Sequence, residues 1–345
     1  MPLASGARAA VDDAGSDGAR RRAVLALDIG GTKLAAGVVD EAGRVHSFVA
    51  APSEPERGPD AELPRLFDLG RRAVDASGLQ WTEIDAVGIG CGGPLDAERG
   101  VLIAPLHLPG WHDVPVTAIA EEAFARPAVL ENDATAAAAG EHRYGAGTGV
   151  RNMVYLTIST GVGGGVVVDG RLYRGAGNGA ELGHVTVDWR GRPCRGCGRL
   201  GCLEAYVSGT SIAERAREAI VQSRNGSSSL AAVEGPTAED VAAAARAGDR
   251  LARAVWDETI AALACGLTSI VNVFEPELVV VGGGVSRAGE QLLGPVREWV
   301  REHAIEPARR SVDIVESALG EQVGVVGAAA VVYERAQRDR ATSRG

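Results

Sequence analysis

AVLALDIGGTKLAAGVVD, residues 23–40, is the stretch on which the fold turns. An apolar run over 23–29 meets Gly30-Gly31-Thr32 and is followed by a second apolar run over 34–39 that closes at Asp40, which reads as strand, tight turn, strand. The same grammar returns at MVYLTISTGVGGGVVVDG, residues 153–170. There 153–158 is apolar and β-branched, 159–165 reads as a glycine-rich turn, and 166–168 resumes before the Asp169-Gly170 turn. Two similar halves are implied. A third glycine turn, Gly282, Gly283 and Gly284, follows the apolar run 278–281, with helix expected from Arg287 onward.

Between these turns the 3.6-residue period predicts helices over 62–76, 117–124, 134–143, 211–222 and 238–273, the last interrupted near Gly248. Loops are expected at 52–59 and 223–236. Strands alternating with helices make the chain an α/β protein, and 345 residues suggest two domains. A formal charge of −10 leaves no broad basic surface for nucleic acid. Residues 1–22 read as a loose leader lacking the apolar core of a secretory signal, and no later run approaches the ~20 apolar residues of a membrane span. The expected location is the cytoplasm, with no membrane partner.

Each turn has a chemical reading. Asp28, Gly30, Gly31, Thr32 and Lys33 place an acid at a strand end, two residues without side chains, a hydroxyl and an ammonium. Glycines let N–H groups approach a phosphate, and the aspartate can hold Mg2+ or its water shell. The alternative is a plain hairpin. Thr160, Gly161, Val162 and Gly163 offer a second set of donors that could face the first across a cleft and grip one nucleotide, with the third turn near its adenosine. In Glu131-Asn132-Asp133 a carboxylate stands between a strand end and a helix start, placed to accept a hydroxyl proton; taken alone, the stretch favours helix capping.

Three of the five cysteines crowd into nine residues. Cys194-x2-Cys197-x4-Cys202 with His184 has the ligand count and chemistry of a closed structural zinc site, against a redox CxxC. Glu181 and Glu204 bracket these ligands, so one ion would direct two carboxylates and an imidazole toward a polyol pocket.

LDIGGTK, ENDATAAAAGEHRYGAG, TISTGVGGGVVVDGRLYRGAGNGAELGHVTV, CRGCGRLGCLEAYVSG and VVVGGGVS together resemble the ROK family of bacterial sugar kinases and sugar-responsive repressors, over most of 23–333. The resemblance implies the actin- and hexokinase-like (RNase H-like) ATPase fold, two α/β lobes closing an interlobe cleft. The lobes are expected at 23–133, with a C-terminal helix at 325–340 as a candidate to complete the first, and at 134–324, carrying a zinc knuckle over 184–202. It implies Asp133 as catalytic base; Gly93, Asn132, Glu181, His184 and Glu204 at the sugar; His184, Cys194, Cys197 and Cys202 on zinc; and the three turns on ATP with Mg2+.

Two stretches depart from the family pattern. Cys91-Gly92-Gly93-Pro94 stands where Pro-Gly-Pro is common, and His107 replaces an asparagine before Leu108-Pro109-Gly110-Trp111. Both lie on the expected sugar side, which makes His107 the residue most apt to decide the substrate. The resemblance implies transfer of the ATP γ-phosphoryl group to a hexose, with glucose the default and another hexose, an amino sugar or a C7-cyclitol as alternatives. A ROK-type regulator would need a helix-turn-helix module on the order of 60 residues long ahead of the first strand. Only 22 residues stand there. A homo-oligomer, dimer or tetramer, is also implied.

Overall fold

The computed structural model describes residues 22–223 and 228–342. Apart from Arg22, the expected leader lies outside them, as do 224–227 of the loop expected at 223–236; Ser229–Ala232 in that loop form a short 3-10 turn.

Two five-stranded sheets carry the chain. The first contains β1 (Ala23–Ile29), β2 (Lys33–Asp40), β3 (Val45–Pro52) and β4 (Ile84–Cys91), then, past a small ribbon of β5 (Leu95–Asp96) and β6 (Val101–Leu102), β7 (Ala128–Asn132), in the order β3-β2-β1-β4-β7. The second contains β8 (Met153–Ile158), β9 (Val162–Val168), β10 (Arg171–Tyr173), β11 (Leu278–Gly282) and β12 (Asp313–Glu316), in the order β10-β9-β8-β11-β12. Each sheet has antiparallel hairpins on one side and parallel strands on the other. The repeated strand–turn–strand pattern of the sequence is therefore a repeated half-sheet.

The helices are α1 (Pro59–Ser77), α2 (Val116–Phe124), α3 (Asp133–Tyr144), α4 (Glu204–Val207), α5 (Gly209–Gln222), α6 (Ala238–Arg246), α7 (Arg250–Phe274), α8 (Glu290–His303), α9 (Ala308–Ser311) and α10 (Val323–Thr342). The break between α6 and α7 follows from Gly248, whose φ is 92°, and from Asp249, whose carboxylate accepts from the N–H groups of Leu251 and Ala252.

β1 shows why its apolar run is unbroken. Leu25, Leu27 and Ile29 join a core with Leu63, Leu66 and Phe67 of α1. Val24 and Ala26 point the other way, into a second core with Val325, Val326, Ala329 and Val332 of α10. Period-two alternation on a strand covered on both faces leaves no polar position until Asp28. The last helix thus packs on the first sheet, against β1, β2 and β4, and also on α3, which reaches across to β8 and β9.

α7 corrects the expectation that no segment approaches a membrane span. Its 25 residues are long and apolar enough to cross a bilayer by length and composition. It is instead a core helix, with Trp256, Leu263, Leu267 and Ile270 buried and α4, α5, α6 and α8 packed around it.

Small residues set the α3–α10 crossing. A Cβ on Gly140 would lie 3.0 Å from Gly327 Cα, and one on Gly327 would run into the Ala136 carbonyl. No rotamer relieves a clash between Cβ and backbone, so Gly327→Ala is expected to cost about 1–3 kcal/mol of stability. Urea unfolding checks this, and a variant matching the wild type would show that the crossing yields freely.

Candidate active site

Strand register assembles the centre. Asp28 on β1 pairs with Gly90 on β4, and Gly90 in turn pairs with Glu131 on β7. Gly90 lies between the two acids, its Cβ position 3.8 Å from Asp28 Oδ1 and 3.9 Å from Asp133 Cα. Burial first, and then the Asp133 charge, push the Asp28 carboxyl up to about 7, with Lys33 opposing. Burial also raises Asp133, against the pull of the Ala134 N–H and His107. Two neighbouring carboxylates held in low dielectric call for a cation, which fits a divalent ion at Asp28.

The choice between capping and chemistry at Asn132-Asp133 resolves atom by atom. Asn132 Oδ1 accepts from the N–H groups of Ala134 (3.0 Å) and Thr135 (3.1 Å), capping α3. Its Nδ2 is left facing Gly93, 3.7 Å from that residue's Cβ position. Asp133 Oδ1 accepts from Ala134 N–H at 2.8 Å, while Oδ2 stands 3.9 Å from the Gly92 Cβ position. One oxygen of each residue fixes the helix start and the other atom is presented to the cleft.

The first turn is tight: Gly30 N–H donates to the Lys33 carbonyl (3.0 Å), Thr32 is exposed, and a Cβ on Gly31 would sit 2.9 Å from His107 Cβ. The second turn is shorter than its glycines suggest. Ser159 N–H donates to the Gly161 carbonyl at 2.9 Å, so the turn is 159–161 and β9 begins at Val162. Gly163 and Gly165 are packing glycines, their Cβ positions 2.8 Å from Ala134 Cβ and 2.5 Å from Ala138 Cβ, and Gly164 admits Leu182 on the opposite face. The Val162 N–H, a donor expected for a phosphate, donates here to Glu204 Oε2 at 2.9 Å. The third turn abuts the second: Gly283, with φ of 90°, has its Cβ position against the Ile158 carbonyl, Gly282 lies beneath it on β11, and Gly284 is exposed to open space. Thr160 and Gly161 remain open to a ligand, with the Thr160 carbonyl pinned by Thr210 Oγ1 (2.9 Å).

His107 stands at the junction of these parts. Its backbone presses on Gly31, and its Nε2 lies 3.4 Å from the Gly161 Cβ position. It therefore sits between the first and second turns, close enough to Asp133 to oppose the rise of that carboxyl.

The knuckle is compact. The ligand atoms of His184, Cys194, Cys197 and Cys202 all lie within 4.8 Å of one another, with Cys194 Sγ 3.8 Å from His184 Nδ1 and Cys197 Sγ 3.4 Å from Cys202 Sγ. Tetrahedral zinc with bonds of about 2.3 Å spaces its sulfurs by about 3.8 Å. Burial pushes Cys194 up to about 12 and raises Cys202. The protein's own groups do not ionise these two thiols; a bound dication would. With Nδ1 toward the sulfurs, His184 keeps Nε2 for another partner. Glu204 ties the knuckle to the second turn, taking Cys194 Sγ on Oε1 (3.3 Å) and the Val162 N–H on Oε2. Glu181 is exposed at the cleft, raised first by burial of its carboxyl and then by Asp133 and Glu204, against His184.

One residue absent from the sequence reading belongs here. Asn178 Oδ1 accepts from Leu95 N–H at 3.4 Å and lies 3.7 Å from the Gly93 Cβ position, where Glu181 Oε1 also converges at 3.9 Å. Asn178 is the one small polar residue in the Gly-rich run 175–180, and only its contact with the turn between β4 and β5 that bears Gly93 distinguishes it.

The ROK family profile matches residues 24–335. A glucokinase of Thermotoga maritima is 38% identical over 320 residues, 90% of this chain and 98% of that one. Among solved structures, the ROK hexokinase of Thermus thermophilus superposes with a TM-score of 0.75 at 37% identity, covering 92% of this chain and 99% of that one. A ROK family glucokinase of Streptomyces griseus, solved with glucose and AMPPNP, gives 0.73 at 36% identity, covering 90% and 98%.

Proposed function

Because the chain belongs to the ROK family and shares the actin- and hexokinase-like fold of its relatives, we propose that it is an ATP-dependent glucokinase forming glucose 6-phosphate. The observation that carries this is Asp133, with Oδ1 tied to the helix start and Oδ2 turned toward Gly92. A carboxylate raised by burial is a competent general base for a sugar hydroxyl, and the remaining barrier is lowered by positioning and charge. Asp133 takes the proton of the glucose 6-hydroxyl as its oxygen attacks the γ-phosphorus in line and ADP leaves. Gly31, Thr32, Thr160 and Gly161 line the phosphates, and the Gly282–284 turn borders the adenosine. Asp28 would hold a magnesium ion, which would supply positive charge against the phosphates.

Asn132 Nδ2, Glu181, His184 Nε2 and Glu204 are the sugar-hydroxyl partners, with Gly93 leaving room for the ring. Glu204 would exchange its hold on Val162 for a sugar hydroxyl, which frees that N–H for the phosphates. The knuckle holds one structural zinc ion, supported by the three-sulfur, one-nitrogen donor set. Membership of this family supports a cytoplasmic homo-oligomer.

An ADP-release assay with Mg-ATP across glucose, mannose, fructose, N-acetylated hexosamines and cyclitols tests the substrate. Glucose is expected to give the highest kcat/KM; a chain inert on glucose yet active on another polyol would move the substrate and leave the base in place. On the same panel, His107→Asn is expected to change kcat/KM for glucose by roughly tenfold, as expected for one exchanged hydrogen-bonding group. An unchanged panel would remove His107 from the site.

A further inference from the structure

An ion pair buried on its acidic side joins the two lobes beside the base. Glu131, with its side chain 4% exposed, lies on β7, the edge strand of the first sheet. Arg174 immediately follows β10, the edge strand of the second. Arg174 Nε donates to Glu131 Oε2 at 2.6 Å, and Glu131 Oε1 accepts the Asn132 N–H at 3.1 Å. One carboxylate thus grips both the opposite lobe and the backbone that carries Asn132 and Asp133. A carboxylate this buried is costly to keep unless it is paired, so the partner is not incidental.

The loop beyond Arg174 is built on that residue. Its carbonyl accepts the N–H groups of Gly177 and Gly179, both at 2.9 Å, and a Cβ on Gly179 would lie 2.8 Å from Arg174 C. At the far side, Asn178 Oδ1 meets Leu95 N–H, and Glu181 faces Gly93. Arg174 Nη1 also stands 3.8 Å from Glu334 Oε1 of α10. The loop is therefore held to the first lobe at Glu131, Glu334 and Leu95, and its Asn178 and Glu181 side chains converge on Gly93, which Asn132 Nδ2 also faces.

We propose that Arg174 is a positioning residue for the sugar: through Glu131 it holds the 174–181 loop, with Asn178 and Glu181, in register with the strand end bearing Asn132 and Asp133. The proposal rests on the kinase reading for the identity of the ligand. The nucleotide turns take no part in this clasp, so its loss separates sugar from nucleotide. Arg174→Met is expected to raise both the KM and the calorimetric Kd for glucose, or for the panel sugar with the highest affinity, by about tenfold, with the KM for ATP nearly unchanged. Arg174→Lys should restore part of the loss, because a point charge replaces a directed donor. The double variant E131Q/R174M should be no worse than the worse single variant, the signature of one shared interaction.

Sugar and ATP constants rising together, an unchanged sugar Kd, or losses that add in the double variant would each overturn the proposal. If Arg174→Met does not fold, the double variant, which leaves no buried charge unpaired, is read in its place. A folded double variant with wild-type sugar affinity overturns the proposal, as does failure of both to fold, since the pair would then serve the fold. A wild-type chain that binds sugar without turnover would remove the kinase reading alone, because the Kd comparison still decides the role of Arg174.

Discussion

Asp133→Asn is expected to reduce turnover on glucose by roughly 100- to 10,000-fold, the usual contribution of a positioned general base, while glucose still binds. The amide preserves the shape of the side chain and keeps an oxygen to accept the Ala134 N–H, so the start of α3 survives. What it loses is the basic oxygen beside Gly92. The pH profile supplies a second check. Burial raises the Asp133 carboxyl, so the deprotonated, active form is lost as pH falls through a value above the ordinary carboxylate range. The acid limb of kcat/KM in the wild type should lie there, and the residual activity of Asp133→Asn should lack it. Near-normal turnover in the variant would transfer the base to another residue, with Asp28 the nearest candidate.

Loss of the metal is expected to be nearly as damaging, through structure and not through chemistry at the phosphorus. Metal analysis should find one zinc per wild-type chain. Cys202→Ala should abolish it, lower the melting temperature by many degrees and lose most turnover. Structural zinc binding free energy, on the order of 10 kcal/mol in small domains, is folding free energy wherever the ligands are otherwise unorganised. Here the four ligands come from a short 3-10 turn and a loop outside both sheets, whose own backbone bonds, such as Cys194 N–H to the Arg199 carbonyl, leave the ion to fix the ligand side chains. Without the ion, His184 loses its orientation and Glu204 loses Cys194 as a fixed neighbour, so sugar affinity should fall before nucleotide affinity does. A metal-free variant with wild-type melting and sugar affinity would show the cluster to be a set of ordinary thiols.

The parts legible in the sequence are those set by short-range periodicity. The apolar strand at 23–29, the Gly248 break between α6 and α7, and the clustered cysteines each signal locally what they form. The parts that were not legible depend on partners distant in the chain. A run such as Gly163-Gly164-Gly165 reads as a turn because glycine permits one, yet here the glycines lie in a strand because Ala134, Ala138 and Leu182 need the space. α7 has the composition of a membrane span, and only its neighbours make it a core helix. Asn132 looked like a cap because it is one; that its Nδ2 also faces the cleft depends on Gly93, from another strand end. Arg174 and Asn178 lie inside a motif whose spacing assigns them no role, and their roles arise from contacts to Glu131 and Leu95 across the lobes.

The most direct measurement is the initial rate of glucose 6-phosphate formation from glucose and Mg-ATP, followed through a coupled dehydrogenase, for the wild type and Asp133→Asn side by side. Saturable formation of glucose 6-phosphate by the wild type, reduced at least a hundredfold or so in the variant, is the expected result. Absence of glucose 6-phosphate from a wild-type protein that binds both glucose and ATP, or equal rates in the two proteins, would contradict the assignment of this cleft as a glucokinase site built on Asp133.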